Sequence, residues 1–490
     1  MSRLVRPHTL RGFRDVLPAE MSLQNELVRR IRAVYEHYGY VPLDTPVMEL
    51  LPTLVGSGGD EADAQIFQLL NPEQQTVGLR FDLTVPFARI IAQYTPDPIK
   101  LPFRRYHLGP VFRADDPQPE QGRFRQFTQV DIDVAGTESI AADAEIVAVM
   151  VDAFAALDLP RGDEGPPFYL RVNNRKLVDA FLAGVGIVEP ERCAHVLRVL
   201  DKSDRISQRQ LAEELRDGRY DRSGDFIPGV GLTGAVVDAL LDFVAVTGAT
   251  RAEVVTALAG RIAPTEQGEA ALAEASELTA HLEALGVAEE SARFDPSLAR
   301  GLAYYTGTVY EGTLVGGGVG SVVGGGRYDG LVSRFLDDAV PMVGASIGLD
   351  RLVTGLRNLD VDLGTGADRV QVLVLVMPGV DAAVSSGIAA QLRAAGIGAE
   401  LYVGKDQGKV GRQLSYANSL GYRAAVMVGR KELEAGQVTV KDLRAGSEQR
   451  ADIADREAYR KAGQTGQLSC TREQLPARVR ELLDDGDAGR

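Results

Sequence analysis

A strictly alternating segment, residues 122–133, places the strongest constraint on how this chain of 490 residues folds. In an extended strand, successive side chains point to opposite faces of a sheet. One face of this segment carries two guanidiniums, an aromatic ring, an amide and two carboxylates: Arg123, Arg125, Phe127, Gln129, Asp131 and Asp133. Arginine forks suit phosphate oxygens, an aromatic face suits a purine, and carboxylates suit a cationic group. The segment predicts a ligand-binding strand, or alternatively an edge strand whose charged face is solvated.

The composition excludes several classes of protein. Hydrophobic residues make up 45% and charged residues 25%, a balance typical of a globular protein and not of a disordered one. The formal net charge of −15 means that a nucleic-acid partner must be bound by local basic patches. The two cysteines, Cys193 and Cys470, form no CxxC pair, which excludes a disulfide scaffold and a zinc ribbon.

The sequence also bears on location and on metal binding. The N-terminal residues 1–8 lack the apolar core of a signal peptide, and no run approaches 18 consecutive apolar residues. We therefore expect a soluble, cytoplasmic protein with no membrane partner. The five histidines are scattered and show no ligand spacing, so the residues of a metal site stay unknown.

Changes in composition divide the chain into five segments, residues 1–189, 190–290, 291–362, 369–450 and 451–490. The first mixes helical and strand patterns, and the second has the amphipathic periodicity of an all-helical insertion. The third regains strand and glycine character. The fourth alternates strands with helices after the apolar run Val370–Met377, which is typical of a parallel strand buried on both faces. The fifth predicts a polar tail with one helix around Glu473–Asp484.

The alternating segment, together with the preceding loop Phe112–Pro117, resembles motif 2 of the class II aminoacyl-tRNA synthetases in its histidyl-tRNA synthetase form. Other motifs of that family are matched in order by Arg11–Pro18 (N-terminal signature), Gly39–Glu49 (motif 1), Arg80–Pro86 (amino-acid-binding strand), Arg300–Gly307 and Gly325–Gly330 (histidine motifs), and Gly344–Arg351 (motif 3). Each motif alone is moderately specific, but all of them in order make a strong resemblance. It extends from about Arg11 to Leu443.

The resemblance implies an α+β fold whose core is an antiparallel sheet flanked by helices. Residues 1–189 and 291–362 would form this catalytic domain, and residues 190–290 a helical insertion within it. Residues 369–450 would form an α/β domain like the anticodon-binding domain of the family. Motif 1 forms the dimer interface in the family, so the resemblance also implies a homodimer.

The resemblance further implies the residues of the active site. Arg113 would bind the ATP α-phosphate, Arg351 would lie along the β- and γ-phosphates, and Phe127 would stack on adenine. The implied ATP-binding set is Arg113, Asp115, Arg123, Phe127 and Arg351. The implied catalytic residues are Arg113, Arg300 and Arg351, with Arg300 beside the reacting carboxylate. The implied histidine-binding set is Asp82, Thr84, Gln129, Asp133, Arg300, Tyr304, Tyr305 and Tyr328.

Two regions are expected to contact tRNA. Gln118 lies in the motif 2 loop, which faces the acceptor stem in the family. The stretch from Tyr402 to Lys431 holds six basic residues and one acid, a local reversal of charge that suits an RNA backbone. Its implied tRNA-binding residues are Lys405, Lys409 and Arg412. The alternative interpretation of this stretch is a solvated helix face.

The reaction implied is activation of histidine by ATP, with Mg²⁺, to histidyl-adenylate, followed by transfer to tRNA(His). Two alternatives stay open. The regulatory subunit of an ATP phosphoribosyltransferase resembles the same catalytic domain, but it normally lacks the C-terminal domain. An amino-acid-adenylating enzyme with a non-tRNA acceptor is the second. It is motivated by Ala303, where the family carries Asp, and by the acidic loop 115–121.

Overall fold

The computed structural model describes residues 4–56, 63–161, 165–203, 206–221, 223–299, 305–361, 363, 370–444 and 466–484. The chain divides into two compact units, Met1–Leu363 and Gly364–Arg490. Among the helices of the described residues, none is long and apolar enough to cross a membrane.

The first unit is built on an eight-stranded sheet with the strand order β1-β5-β6-β13-β12-β11-β7-β10. The strands of this unit are β1 (Val41–Pro42), β2 (Met48–Leu50), β3 (Gln68–Leu70), β4 (Thr76–Leu79), β5 (Phe103–Phe112), β6 (Gln126–Ala135), β7 (Phe168–Asn174), β8 (Gly218–Tyr220), β9 (Phe226–Pro228), β10 (Ala292–Phe294), β11 (Thr308–Leu314), β12 (Ser321–Arg327) and β13 (Met342–Gly348). Strands β5, β6, β13, β12, β11 and β7 pair antiparallel, whereas β1 and β10 join the two ends in parallel. Strands β2, β4 and β3 form a separate antiparallel sheet.

Helices cover one face of the large sheet and form the insertion. The helices of the first unit are Pro18–His37, Leu51–Leu54, Thr84–Tyr94, Ile140–Ala155, Arg175–Gly184, Pro190–Leu200, Gln208–Leu215, Gly234–Val244, Arg251–Ala259, Glu266–Ala284 and Leu349–Asn358, with 3₁₀ turns at Pro119–Gln121 and Val332–Arg334. Apolar side chains of β6, such as Ile132, pack in one core with Ile31 and Val147 of two of these helices. The opposite face of β6 is therefore left to the polar side chains.

The strand predicted from the alternating segment is β6, and it lies in the interior of the sheet. Strands β5 and β13 flank it on both sides, with Asp133 opposite Arg105 on β5 and Gly344 on β13. Asp131 and Asp133 are buried. The alternative interpretation, an edge strand with a solvated face, is therefore wrong.

The insertion differs from the all-helical segment that the sequence predicts at residues 190–290. Strands β8 and β9 form a two-stranded hairpin within it. A Cβ at Gly218 would overlap the carbonyl oxygen of Ile227, so the hairpin depends on the close backbone approach that glycine permits. Strands of three residues are too short to interrupt a helical periodicity, which explains why the sequence pattern did not show them. The core of the insertion also includes Leu177 and Phe181, from a helix that precedes residue 190.

The second unit contains a five-stranded sheet with the order β15-β14-β16-β17-β18. Its strands are β14 (Val372–Val374), β15 (Ala399–Leu401), β16 (Ala424–Met427), β17 (Gln437–Asp442) and β18 (Gln467–Thr471), and its helices are Ala382–Ala394, Val410–Ser419, Arg430–Glu434 and Leu475–Asp484. Strand β14 pairs in parallel with β15 and β16 and is buried, as its apolar run predicts.

The helix predicted around Glu473–Asp484 is confirmed at Leu475–Asp484. The prediction that residues 451–490 form a polar tail is wrong for residues 466–484. Strand β18 extends the sheet, and the last helix buries Leu475, Val479 and Leu482 against the core of the second unit. These three residues recur at helical spacing, so they form one apolar face in a segment whose average composition is polar.

Candidate active site

The polar face of the eight-stranded sheet forms the floor of a candidate active site. Residues opposite each other on paired strands share a face, so the strand register arranges them in rows. Two neighbouring rows across β5, β6, β13 and β12 are Arg105–Asp133–Gly344–Gly326 and His107–Asp131–Ser346–Gly324. On β5 and β6 the first row pairs a guanidinium with a carboxylate and the second pairs an imidazole with a carboxylate, and both rows end in glycine on β12.

Glycines leave room on this floor. A Cβ added at Gly324 would meet no atom within 4 Å, so open space lies above it. A Cβ added at Gly344 would overlap Oδ1 of Asp133, so only glycine lets that carboxylate lie across β13. The floor therefore combines fixed charges with space for a small molecule.

Asp133, one of the predicted histidine-binding residues, contacts a tyrosine and an arginine. The Tyr328 hydroxyl donates to its Oδ1, and Nη2 of Arg105 lies 2.7 Å from its Oδ2. Burial raises the pKa of Asp133 to about 7, with Arg105 acting to lower the pKa and the neighbouring Asp131 acting to raise it. Burial likewise raises the pKa of Asp131 to about 6. The structure thus places two predicted residues, Asp133 and Tyr328, in direct contact.

Gln129 precedes Asp133 by four residues, so it lies on the same face of β6. Its amide nitrogen donates to the Ser346 hydroxyl over 2.7 Å. Its buried carbonyl oxygen Oε1 has no hydrogen-bond partner among the described residues. A ligand N–H is the natural partner for such an acceptor, since a buried polar atom without a hydrogen bond is costly.

The predicted residues Asp82 and Thr84 lie at the start of the helix Thr84–Tyr94. Oδ1 of Asp82 accepts hydrogen bonds from the backbone N–H groups of Thr84 (3.1 Å) and Val85 (2.9 Å). Burial raises the pKa of Asp82, although those hydrogen bonds oppose the shift. The Asp82 carboxylate therefore caps the helix, and it also interacts electrostatically with Arg105 and Arg113.

Of the predicted tyrosines, Tyr305 is described and lies over β12. A Cβ at Gly326 would come within 3.0 Å of its ring, so the ring rests on the glycine. The predicted residues Arg300 and Tyr304, together with Ala303, lie outside the described residues.

Two of the predicted ATP-binding residues contact each other: Arg113, the residue that follows β5, and Phe127 of β6. The guanidinium carbon of Arg113 lies 5.1 Å from the ring centre of Phe127 and 4.2 Å from that of Phe81. Nε of Arg113 donates to the Phe81 carbonyl oxygen over 3.2 Å. These cation–π and hydrogen-bond contacts hold the guanidinium beside an aromatic face.

Arg351 lies in the first turn of the helix Leu349–Asn358, against the motif 2 loop. Its Nη1 donates to the Ser321 carbonyl oxygen over 2.8 Å. Gly122 has a φ of +67°, and a Cβ there would lie 2.8 Å from the Arg351 Cα. The loop and the helix that carries Arg351 are therefore in close backbone contact.

The other predicted residues of the motif 2 loop contact one another. Nη2 of Arg123 donates to Oδ2 of Asp115 over 3.2 Å. The backbones of Gln118 and Arg123 exchange two hydrogen bonds, of 2.9 and 3.0 Å, around the turn Pro119–Gln121. Asp115, Arg123 and Gln118 are thus brought together at the base of one loop.

Two arginines that connect parts of the site, Arg14 and Arg105, are not among the predicted residues. Arg14 pairs with Asp350 and Glu20, each at 2.5 Å, and its guanidinium carbon lies 4.3 Å from the ring centre of Phe124. Arg105 pairs with Asp133, as described above. Once β5 is known to pair with β6, the register places Arg105 opposite Asp133, and this pairing is the signal that the sequence alone lacks.

In the second unit, the predicted tRNA-binding residues form an exposed basic segment. Lys409 and Arg412 both pair with Oδ1 of Asp406, at 3.0 and 2.9 Å, and the hydrogen bond from Lys409 lowers the pKa of that carboxyl. Lys405 is exposed nearby. Exposed ion pairs contribute little to stability, so these cations are free to exchange partners, and the segment keeps a net positive charge.

Comparison with known proteins relates both units to one family. The family model described as histidyl-tRNA synthetase matches residues 12–352, and the model described as anticodon binding domain matches residues 371–461. A relative from Caulobacter vibrioides named histidine–tRNA ligase is 40% identical over 486 residues, which is 96% of each chain.

Solved structures give the same assignment. The histidyl-tRNA synthetase of Nostoc sp. PCC 7120 has a TM-score of 0.77 and 29% identity, and the match covers 98% of this chain and 100% of that one. A Bacillus halodurans protein described as an ATP phosphoribosyltransferase regulatory subunit/histidyl-tRNA synthetase has a TM-score of 0.68 and 25% identity, over 87% of this chain and 99% of that one. These matches confirm the predicted fold class. The chain belongs to the histidyl-tRNA synthetase family.

Proposed function

We propose that the chain is a histidine–tRNA ligase, which activates histidine with ATP and transfers the histidyl group to tRNA(His). The observation that carries this proposal is one strand face, on β6, that bears both Phe127 beside Arg113 and the buried pair of Asp133 with Tyr328. Such a face suits a nucleotide at one end and a small polar side chain at the other. Family membership of the full chain supports the same enzyme class.

In the first step, a carboxylate oxygen of histidine attacks the α-phosphorus of ATP. The new bond forms as the bond from that phosphorus to the bridging oxygen breaks, and pyrophosphate leaves. This step requires cations that bring three anionic groups together and stabilise the negative charge that develops in the transition state. Cations do this most effectively when the site is preorganised. We assign this role to Arg113 and Arg351, together with Arg300, whose role is implied by the family resemblance.

Mg²⁺ is proposed to enter with the ATP phosphates, as part of the substrate. Among the described residues, no group of three or more His, Cys, Asp or Glu side chains is placed to hold a metal ion. We therefore assign it no side-chain ligands. Asp115 and Arg123 are proposed to contact ATP from the motif 2 loop.

Histidine is proposed to bind above the glycines of the floor. Asp133 would accept an imidazole N–H, and the free carbonyl oxygen of Gln129 would accept a second N–H of the ligand. The remaining residues of the proposed pocket are Asp82, Thr84, Arg300, Tyr304, Tyr305 and Tyr328. A site that hydrogen-bonds a polar side chain rejects analogues that lack it, because its own buried groups would be left unpaired.

The second step requires tRNA. The match of residues 371–461 to an anticodon-binding domain supports tRNA as the partner of the second unit. We propose that Lys405, Lys409 and Arg412 contact its backbone there, and that Gln118 contacts the acceptor stem. The same match weighs against both alternatives, since neither a regulatory subunit nor an enzyme with a non-tRNA acceptor needs such a domain.

We also propose a homodimer that forms through the segment resembling motif 1. This segment and β2 expose Val41, Met48 and Leu50, each with 45–50% of its surface accessible. Exposed apolar side chains are common in interfaces between protein chains.

The decisive experiment is ATP–pyrophosphate exchange with each amino acid in turn, followed by charging of purified tRNA. We expect exchange with histidine alone, and transfer of histidine to tRNA(His) but not to other tRNAs. Arg29→Ala, a substitution at an exposed residue, is the control for loss of activity during preparation of the protein. Exchange without charging would favour the enzyme with a non-tRNA acceptor, and absence of exchange with every amino acid would favour the regulatory subunit.

A further inference from the structure

We propose that Arg105 is a positioning residue that determines recognition of histidine, because its buried guanidinium favours the ionised form of the Asp133 carboxyl group and fixes that group in place. This inference rests on the proposed histidine site and names a residue on which that site depends.

The contacts of Arg105 join two sides of the proposed pocket. The side chain is 0% exposed. Its Nη2 lies 2.7 Å from Oδ2 of Asp133 on the floor and 3.1 Å from the carbonyl oxygen of Leu83, which directly precedes the helix Thr84–Tyr94. Its guanidinium carbon lies 4.5 Å from the ring centre of Phe87 on that helix. One guanidinium thus fixes the distance between the Asp133 carboxylate and the helix that begins at Thr84.

The charges around Arg105 explain why a cation is needed there. Asp131 and Asp133 lie on alternate positions of β6, both are buried, and each raises the free energy of ionising the other. The titratable and charged groups of the surrounding elements that interact electrostatically with this pair are Tyr35, Tyr40, Arg80, Asp82, Arg105, Arg113 and Tyr328, and His107 lies opposite Asp131 on β5. His107 adds no positive charge, because burial and the neighbouring arginines lower its pKa to about 3. Arg105 therefore supplies a buried positive charge in direct contact with Asp133.

Packing alone does not account for an arginine at this position. Nε and Nη1 of Arg105 are buried and have no hydrogen-bond partner among the described residues. A buried guanidinium with unsatisfied donors is costly, and an apolar side chain of similar length would fill the same space without that cost. The compensating interaction is with the carboxylates of β6, which links this residue to the ligand pocket.

The substitution that separates charge from shape is Arg105→Met. Without the cation, the pKa of Asp133 rises further, so less of the ionised acceptor is present at neutral pH. The interaction lost is the charge-assisted hydrogen bond from the ligand imidazole to the ionised Asp133. Such a bond is worth about 1.5–3 kcal/mol, so its loss corresponds to a rise of roughly 10- to 150-fold in the KM for histidine. The KM for ATP should change by less than about 2-fold, since the phosphate-binding arginines are untouched.

The experiment is histidine-dependent ATP–pyrophosphate exchange from pH 6 to pH 9. The ratio of the variant KM to the parent KM cancels the titration of free histidine. This ratio should be largest at low pH and should fall as the pH rises, because Asp133 regains its charge. Arg105→Lys, which keeps a charge, should recover part of the loss. Adding Asp131→Asn to Arg105→Met should recover part as well, because it removes the competing carboxylate.

Arg104→Met is the matched control. Arg104 precedes Arg105 in β5, but it pairs with Glu145 and its side chain is 38% exposed, so its loss should leave the KM for histidine unchanged. If Arg105→Met does not fold, Asp131→Asn alone should shift the low-pH rise of the histidine KM to lower pH.

Two results would overturn the inference: an unchanged KM for histidine in Arg105→Met, or an equal loss for histidine and ATP at every pH, which is the mark of a merely structural role. In the fallback case, a low-pH rise that Asp131→Asn leaves unmoved would overturn it too. A parent enzyme that shows no exchange with histidine would instead contradict the proposed function itself.

Discussion

The arginines proposed to bind phosphate are held by their neighbours through contacts that need no ligand. Arg113 is fixed by the Phe81 carbonyl oxygen and two aromatic rings, and Arg351 by the carbonyl oxygen of Ser321. Each of these contacts restricts the side chain through a backbone oxygen or an aromatic ring. A preorganised charge of this kind stabilises a transition state without the cost of reordering during the reaction.

Arg113→Ala and Arg351→Ala should therefore each lower the rate of ATP–pyrophosphate exchange by about 10²-fold or more, since each removes a charge that acts on the triphosphate. Exchange rates at saturating histidine and ATP measure the effect, and circular dichroism verifies that the variants are folded. Arg29→Ala, on the exposed face of the helix Pro18–His37, should retain full activity. Near-full activity of both site variants would show that the assignment of the phosphate-binding residues is wrong.

At the scale of single elements, the sequence predicted the faces of β6 but not its neighbours. Strict alternation is local, so it showed that Gln129 and Asp133 share one side of a strand. The choice between an edge and an interior strand depends on pairing with β5 and β13, which are separated from β6 by intervening loops or by most of the first unit. The contribution of Arg105 was missed for the same reason, since its partner is set by register.

Other misses also have a physical cause. The family resemblance identified the motifs because their residue order is specific, and the family and enzyme class that it implied are confirmed. The residues of the site itself stay predictions until they are tested. Average composition failed at residues 466–484, where a few apolar side chains at helical spacing are enough to join a core. It also failed at β8 and β9, where each strand is only three residues long.

The row of glycines gives an element-scale prediction. In Gly344→Ala the new methyl group overlaps Oδ1 of Asp133 and the backbone carbonyl oxygen of Ile132. The carboxylate therefore has to move away from Tyr328, and β13 has to shift relative to β6; circular dichroism verifies that the variant is folded. We expect the KM for histidine to rise by roughly 10-fold or more, as for loss of one charge-assisted hydrogen bond, with a smaller effect on the KM for ATP. Gly260→Ala is the control, because its Cβ would meet its nearest neighbour at 3.7 Å. Equal effects of the two substitutions would contradict the role given to Gly344.

At the scale of the whole molecule, the exposed apolar side chains near β2 predict a dimer. Sedimentation at micromolar concentration and physiological salt should give twice the mass of one chain. Met48→Asp should shift the protein toward monomer, because burying a new charge in the interface costs several kcal/mol. Leu285→Asp, at another exposed leucine, should leave the mass unchanged. A monomeric parent protein under these conditions would contradict the proposed interface.

The helix Glu266–Ala284 belongs to two hydrophobic cores at once. Its first half buries Ala271 and Ala275 in the insertion, and its second half buries Leu278 and Leu282 beneath the large sheet. Because one continuous helix spans both cores, the insertion cannot melt without withdrawing apolar surface from the catalytic sheet. The catalytic core and its insertion therefore unfold as one cooperative unit. A destabilising substitution deep in the insertion lowers the fraction of folded, active enzyme.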